Sequence, residues 1–399
     1  SFAEAHNNLG VIQKELGKPK EAEANYLQAI ALKPDYAEAH NNLGNALQGL
    51  GRLKESESSY SKAIALKPDY SIAYINLGNT LQELGRIHES CSVYIQAINL
   101  NPNYTEAYVN LSLIIRDFKF TSSDPKLYPI LMNMLKIENA IRPQDIAISI
   151  IRLLYYDPLI KGLLAQKNIT MSLKVFNSNI DDLNKLPILH DLMRLCPLPD
   201  LQFEEIFVRM RSFLLTNLDK IETSPELTYF LSTLCLHCFT NEYVYFVSDK
   251  ESQLVDELEA EISQTIMKSE RTEAIKIMCL ASYRPLHQYD WFEKIEELDY
   301  LEEVKRRLIK EPLSERSIAK NISVLGEITD DISCKVRMQY EESPYPRWVK
   351  LAIPPKAKSI AVICDEVKLD LHSEGIKDIT SPRLLVAGCG TGQHPIETA

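Results

Sequence analysis

The sequence predicts a mainly α chain in three parts: an α-solenoid of helical hairpins, an all-helical spacer, and the truncated start of an α/β doubly wound domain. Three observations carry this prediction. A motif of aromatic and small residues returns every 34 residues through the first third. Apolar residues then recur at helical spacing with almost no glycine. Near the C-terminus an apolar run opens into a loop holding Gly388, Gly390 and Gly392. A chain of 399 residues is also too long for one ordinary core, because cores stop growing near about 250 to 300 residues.

The repeats come first. A shift of 34 residues aligns Ala5-His6-Asn7-Asn8-Leu9-Gly10 with Ala39-His40-Asn41-Asn42-Leu43-Gly44, and then with Ala73-Tyr74-Ile75-Asn76-Leu77-Gly78. Ala107-Tyr108-Val109-Asn110-Leu111-Ser112 follows in the same register. The shift also aligns Tyr26, Tyr60 and Tyr94, then Ala29, Ala63 and Ala97, then Pro34, Pro68 and Pro102. This spacing is the tetratricopeptide signature, a helix-turn-helix unit that buries its apolar face only against a neighbour. Leu9 and Gly10 are expected to bring the first helix close to its partner, Tyr26 and Ala29 to fill the next unit's groove, and Pro34 to stop the second helix. Three repeats and one further helix are assigned to residues 1–118, and since the pattern is already under way at Ser1, more repeats are expected upstream.

With its recurring Asn-Asn-Leu-Gly and Pro-Asp-Tyr, the arm resembles the repeats of the O-linked N-acetylglucosamine transferase family. Asn8, Asn42, Asn76 and Asn110 hold one repeat position, on the helix face that lines the inside of such a superhelix. An amide offers both a donor and an acceptor, so a ladder of amides can clamp an extended backbone whatever its side chains. The resemblance implies that role, with a protein or extended peptide as partner. The alternative is that these amides only solvate a polar groove or bond between repeats.

After Phe118 the period fails, and residues 119–330 read as an all-helical spacer punctuated by prolines at 143, 158, 187, 197, 199, 225, 285 and 312. Cys235 and Cys238 form the chain's one Cys-x-x-Cys, without the second ligand pair a zinc site requires, and their apolar surroundings indicate core thiols rather than a metal site. The mixed charges from 296 to 311 read as a solvated helix face.

Residues 331–399 carry the chemical motif. Arg383-Leu384-Leu385-Val386-Ala387 suits a buried strand, followed by Gly388-Cys389-Gly390-Thr391-Gly392-Gln393-His394-Pro395. A dinucleotide loop requires glycine where Gln393 stands, and the Lys of a phosphate-binding P-loop is missing. The string resembles motif I of class I methyltransferases, a Rossmann-like fold. That resemblance implies S-adenosylmethionine as cofactor, with Ala387, Gly388, Cys389, Gly390, Thr391, Gly392 and Gln393 lying along its methionine part. One departure is Val386, where most members of that family carry an acidic residue.

Upstream, Tyr340, Tyr345, Arg347 and Trp348 sit in a Pro-rich stretch that either straps the spacer onto the catalytic fold or caps a ligand. The whole arrangement looks like a bacterial family of repeat-containing methyltransferases. The adenosine pocket, the catalytic residues and the site for a methyl acceptor, itself unidentified, are expected beyond Ala399. Little activity is therefore expected from these residues alone. The competing expectation is a non-catalytic scaffold whose repeats assemble other proteins. A sugar transferase is disfavoured because no second nucleotide-binding domain follows the repeats.

A formal charge of −11 and a pI of about 5.4 argue against a nucleic-acid partner. No apolar run approaches the roughly 18 residues of a membrane span. Eight cysteines without a dense framework indicate a reducing compartment, and cytoplasm is the expected location.

Overall fold

The computed structural model describes residues 1–137, 140–268, 270, 272–295, 301–319 and 334–335. Every regular element among them is helical, and no strand occurs among the described residues. The chain divides into two compact units, Ser1–Lys119 and Phe120–Ala399. The expected strand at 383–387, the glycine loop at 388–393 and the 340–348 segment lie outside the described residues.

The first unit is seven helices: α1 Phe2–Glu15, α2 Pro19–Leu32, α3 Ala37–Gly49, α4 Leu53–Leu66, α5 Ser71–Glu83, α6 Ile87–Leu100 and α7 Thr105–Ile115. Within each hairpin the turn rests on a glycine, Gly17, Gly51 or Gly85, at φ of 72°, 75° and 76°. A side chain there would strain the backbone, which is why glycine follows the helix end in each repeat. Between hairpins, the second helix stops at Leu32, Leu66 or Leu100, and a proline stands two residues further on. Lys33 and Lys67 then lie over the rings of Tyr36 and Tyr70, each 4.9 Å from the ring centroid.

Packing inside a hairpin depends on one glycine and one tyrosine. A Cβ built on Gly10, Gly44 or Gly78 would stand 2.6 Å from Cε1 of Tyr26, Tyr60 or Tyr94 respectively. Each tyrosine therefore presses first against its own hairpin, a contact the sequence reading assigned only to the next unit. The next unit is reached as well, since Tyr26 and Ala22 pack with Leu43, Ala46 and Leu47 of the following repeat. Leu9 corrects the sequence reading: it is 45% exposed, whereas Leu43 and Leu111 are buried. Leu43 packs on the α2 residues Ala22 and Tyr26.

The second unit contains α8 Tyr128–Lys136, α9 Pro143–Leu154, α10 Pro158–Ala165, α11 Leu173–Asn184, α12 Pro187–Leu195, α13 Leu201–Thr216, α14 Pro225–Thr240, α15 Asp249–Met267 and α16 Ala274–Ala281. Pro143, Pro158, Pro187 and Pro225 occupy the first helical position, where the missing N–H costs nothing. Pro312 behaves differently. Glu302–Lys305, a π-helical turn Arg306–Lys310 and Glu311–Ala319 follow one another directly, and Pro312 lies just past the wide turn. A π turn relaxes the backbone pairing that proline would otherwise break.

Helix α14 runs through the core with every residue from Phe230 to Thr240 buried. His237 uses both ring nitrogens, against the carbonyl of Met193 at 3.0 Å and the hydroxyl of Tyr245 at 2.7 Å. Cys235 and Cys238 are fully buried, and desolvation pushes both thiols up, Cys238 to about 11. That is the environment of inert core thiols. Arg211, also buried, donates to the carbonyls of Ser282 at 3.0 Å and Phe246 at 2.9 Å, with its guanidinium 4.0 Å from the Tyr283 ring centroid. No helix is long and apolar enough to cross a membrane among the described residues.

Candidate functional site

The inner face of the first unit is built by its first helices. Successive first helices, α1 with α3, α3 with α5 and α5 with α7, approach one another more closely than successive second helices do. The row therefore curves with α1, α3, α5 and α7 on the inside. Residues four and seven apart share one helix face, so a single accessible stripe runs along each of these helices. On α1 the stripe is Glu4, Asn8, Val11 and Glu15; on α5 it is Ile72, Asn76, Asn79 and Glu83.

All four predicted asparagines fall on this stripe. Asn8 is exposed, and Asn42, Asn76 and Asn110 are half-buried. Their amides are already engaged between repeats: Asn42 Nδ2 donates to Asn7 Oδ1 at 3.0 Å, and Asn76 Nδ2 donates to Asn41 Oδ1 at 2.9 Å. The third step changes register, because Ile75 stands where Asn7 and Asn41 stood and cannot accept. Asn110 Nδ2 instead donates to Asn79 Oδ1 at 2.8 Å. Each of these bonds uses one of the two Nδ2 protons and fixes which way the amide faces. Asn110 also hydrogen-bonds the Tyr94 hydroxyl, and Asn42 lines a cleft between the first two repeats.

A second polar row lies beneath the first. The hydroxyl of Tyr60 donates to Asn45 Oδ1 at 2.8 Å or to Gln48 Oε1 at 3.1 Å. The hydroxyl of Tyr94 donates to Asn79 Oδ1 at 2.5 Å. Burial pushes Tyr26 and Tyr94 each up to about 12, and a nearby carboxylate adds to this, Glu15 for Tyr26 and Glu106 for Tyr94. Both hydroxyls therefore keep their protons. Between the first two repeats a cleft of about 190 Å³ is lined by Val11, Lys14, Glu15, Tyr26 and Asn42. The acceptors Asn7, Asn41 and Asn79 and the tyrosine floor were missed from sequence. Their periodic recurrence was visible, but the periodicity reads equally well as core packing.

No catalytic side chain was named from sequence, and the expected S-adenosylmethionine contacts at 387–393 lie outside the described residues. Among the described residues no group of three His, Cys, Asp or Glu side chains is arranged to hold a metal ion.

Comparison with known families matches the repeat arm. The family described as TPR repeat matches residues 12–51, and the family described as Tetratricopeptide repeat matches residues 37–70 and again 72–104. Among solved structures, the first tetratricopeptide domain of Spaghetti (RPAP3) bound to an HSP90 peptide is 26% identical. That match covers 28% of this chain and 90% of that one, with a TM-score of 0.28. The second such domain of human RPAP3, in complex with an HSP70 peptide, is also 26% identical, over 28% of this chain and 94% of that one, with a TM-score of 0.28. A Thermobaculum terrenum O-GlcNAc transferase mutant is 20% identical, covering 34% of this chain and 26% of that one at a TM-score of 0.30. No curated protein sequence matches the chain.

Proposed function

We propose that the repeat arm holds an extended segment of another protein along its inner face. The asparagine row carries this reading: Asn42, Asn76 and Asn110 recur on the inner face, each with its amide fixed by an inter-repeat bond. A fixed amide loses little freedom when it meets a peptide group, so the ordering cost of binding is low. Backbone hydrogen bonds give affinity without sequence demand, and side-chain contacts along the stripe then choose among segments.

The test is fluorescence anisotropy with labelled extended peptides on the wild-type chain and on an Asn42→Ala, Asn76→Ala, Asn110→Ala variant. Each lost hydrogen bond to the peptide contributes about 0.5 to 1.5 kcal/mol, so the triple variant should bind at least about tenfold more weakly. Equal affinity for the two proteins contradicts the asparagine clamp.

A second reading concerns the C-terminal glycine loop. Gly388-Cys389-Gly390-Thr391-Gly392, following an apolar strand pattern, supports S-adenosylmethionine binding and methyl transfer to a partner that the repeats recruit. The cofactor would supply an activated methyl group, with Ala387, Gly388, Cys389, Gly390, Thr391, Gly392 and Gln393 holding its methionine part. Calorimetric titration of S-adenosylmethionine into a protein that includes the residues expected beyond Ala399 tests this. Uptake that Gly390→Val abolishes supports a methyl donor, and absence of uptake by the protein removes it and leaves the scaffold.

A further inference from the structure

The charges of the first unit are sorted between its two faces. The second helices and their turns hold cations in numbers that match their acids, and some pair: Arg52 bridges Glu23 at 2.6 Å and Glu55 at 2.5 Å, and Arg86 repeats this with Glu57 and Glu89, while Glu21, Asp35 and Asp69 have no ion pair among the described residues. On the first helices the balance differs. Helices α1, α3, α5 and α7 carry Glu4, Glu15, Glu38, Glu83 and Glu106 against a single basic residue, Lys14. Glu38 pairs with Lys67 at 3.3 Å. Glu15, Glu83 and Glu106 are exposed and have no cation within ion-pair distance among the described residues.

These three acids share the stripe of the asparagines. Glu15 lies two turns after Asn8, Glu83 two turns after Asn76, and Glu106 one turn before Asn110. Glu83 also reaches the preceding repeat, accepting from Gln48 Nε2 at 2.6 Å. The groove thus offers amides for a backbone and, beside them, carboxylates that the fold leaves without a counter-charge.

We infer that the segment bound in this groove is cationic, an extended Lys- or Arg-bearing stretch whose side chains pair with Glu15, Glu83 and Glu106. The inference rests on the peptide-binding reading and adds the chemistry of the partner. Unneutralised like charges along one face repel an acidic segment and raise the association rate of a basic one.

The experiment compares labelled peptides of alternating Ser-Lys, Ser-Thr and Ser-Glu on the full chain at low and physiological salt. Two further proteins keep equal net charge: an inner variant (Glu15→Gln, Glu83→Gln, Glu106→Gln) and an outer control (Glu21→Gln, Asp35→Asn, Asp69→Asn), all at exposed positions. The Ser-Lys peptide should bind tightest and Ser-Glu weakest. The inner variant should weaken Ser-Lys binding about tenfold at low salt, and the outer control should leave it within about twofold. Equal weakening by both variants, or equal affinity for Ser-Lys and Ser-Thr, overturns the cationic partner. The clamp itself still stands in that case if the Asn42→Ala, Asn76→Ala, Asn110→Ala variant abolishes binding. Ser-Lys binding that survives the asparagine variant, or no binding of any peptide, removes the groove reading.

Discussion

A methyl group on Gly44 would press into the Tyr60 ring at 2.6 Å, closer than side-chain atoms approach one another. The ring is fully buried between two helices and has little room to retreat. Gly44→Ala should therefore destabilise the first unit by about 1 to 3 kcal/mol, even though alanine favours helix more than glycine does. Urea denaturation followed by circular dichroism measures this, and an unchanged midpoint contradicts the packing described. Tyr60→Phe tests the other end of the same side chain. It removes a hydroxyl shared between Asn45 and Gln48, at an expected cost of about 1 kcal/mol. The asparagine ladder was legible in the sequence because Asn8, Asn42, Asn76 and Asn110 hold one register. Its acceptors were not, since Asn7 and Asn41 are 6% and 3% exposed and a buried position in a helical pattern reads as core. The unneutralised carboxylates were equally hidden, because pairing depends on which face a charge occupies and not on how many charges there are.

At the scale of elements, the periodic signals were read well and the irregular one was not. Glycine in the hairpin turn and proline at the first helical position follow from backbone angles that few residues tolerate, so they mark helix ends directly. Pro312 broke that rule because a π turn absorbs it, and no local sequence cue separates that case from a helix stop. Helices α12 and α14 make a prediction of their own. His190 on α12 meets Thr233 Oγ1 of α14 at 2.9 Å, and His237 lies wholly inside α14's packing. Burial lowers both imidazoles to about 4, with Arg194 adding to the effect at His190. The unfolded chain takes up protons near the ordinary value of about 6.5, and the folded chain does not until near 4. Stability is therefore full above that ordinary value and falls as pH drops through the window between the two. The loss at pH 5 should be about 2 kcal/mol per histidine. Guanidinium denaturation at pH 7 and pH 5 checks this, and a pH-independent midpoint for the second unit contradicts neutral burial of the pair.

For the whole molecule, the division near Phe118 was legible because a 34-residue period stops there, and the helical unit that follows has no period of its own to announce a role. The glycine loop carries a chemical signature at 388–392 that sequence alone supplies, and S-adenosylmethionine uptake tests it independently of the repeats. The central claim concerns the inner face of the arm, and a photo-crosslink reads the position of a bound segment without relying on affinity. A Ser-Lys peptide bearing a photoreactive residue is bound to the chain, irradiated and mapped by mass spectrometry. Crosslinks confined to α1, α3, α5 and α7, densest around Asn42 and Asn76, are the predicted result; crosslinks on α2, α4 and α6, or on the helices after Phe120, would contradict it.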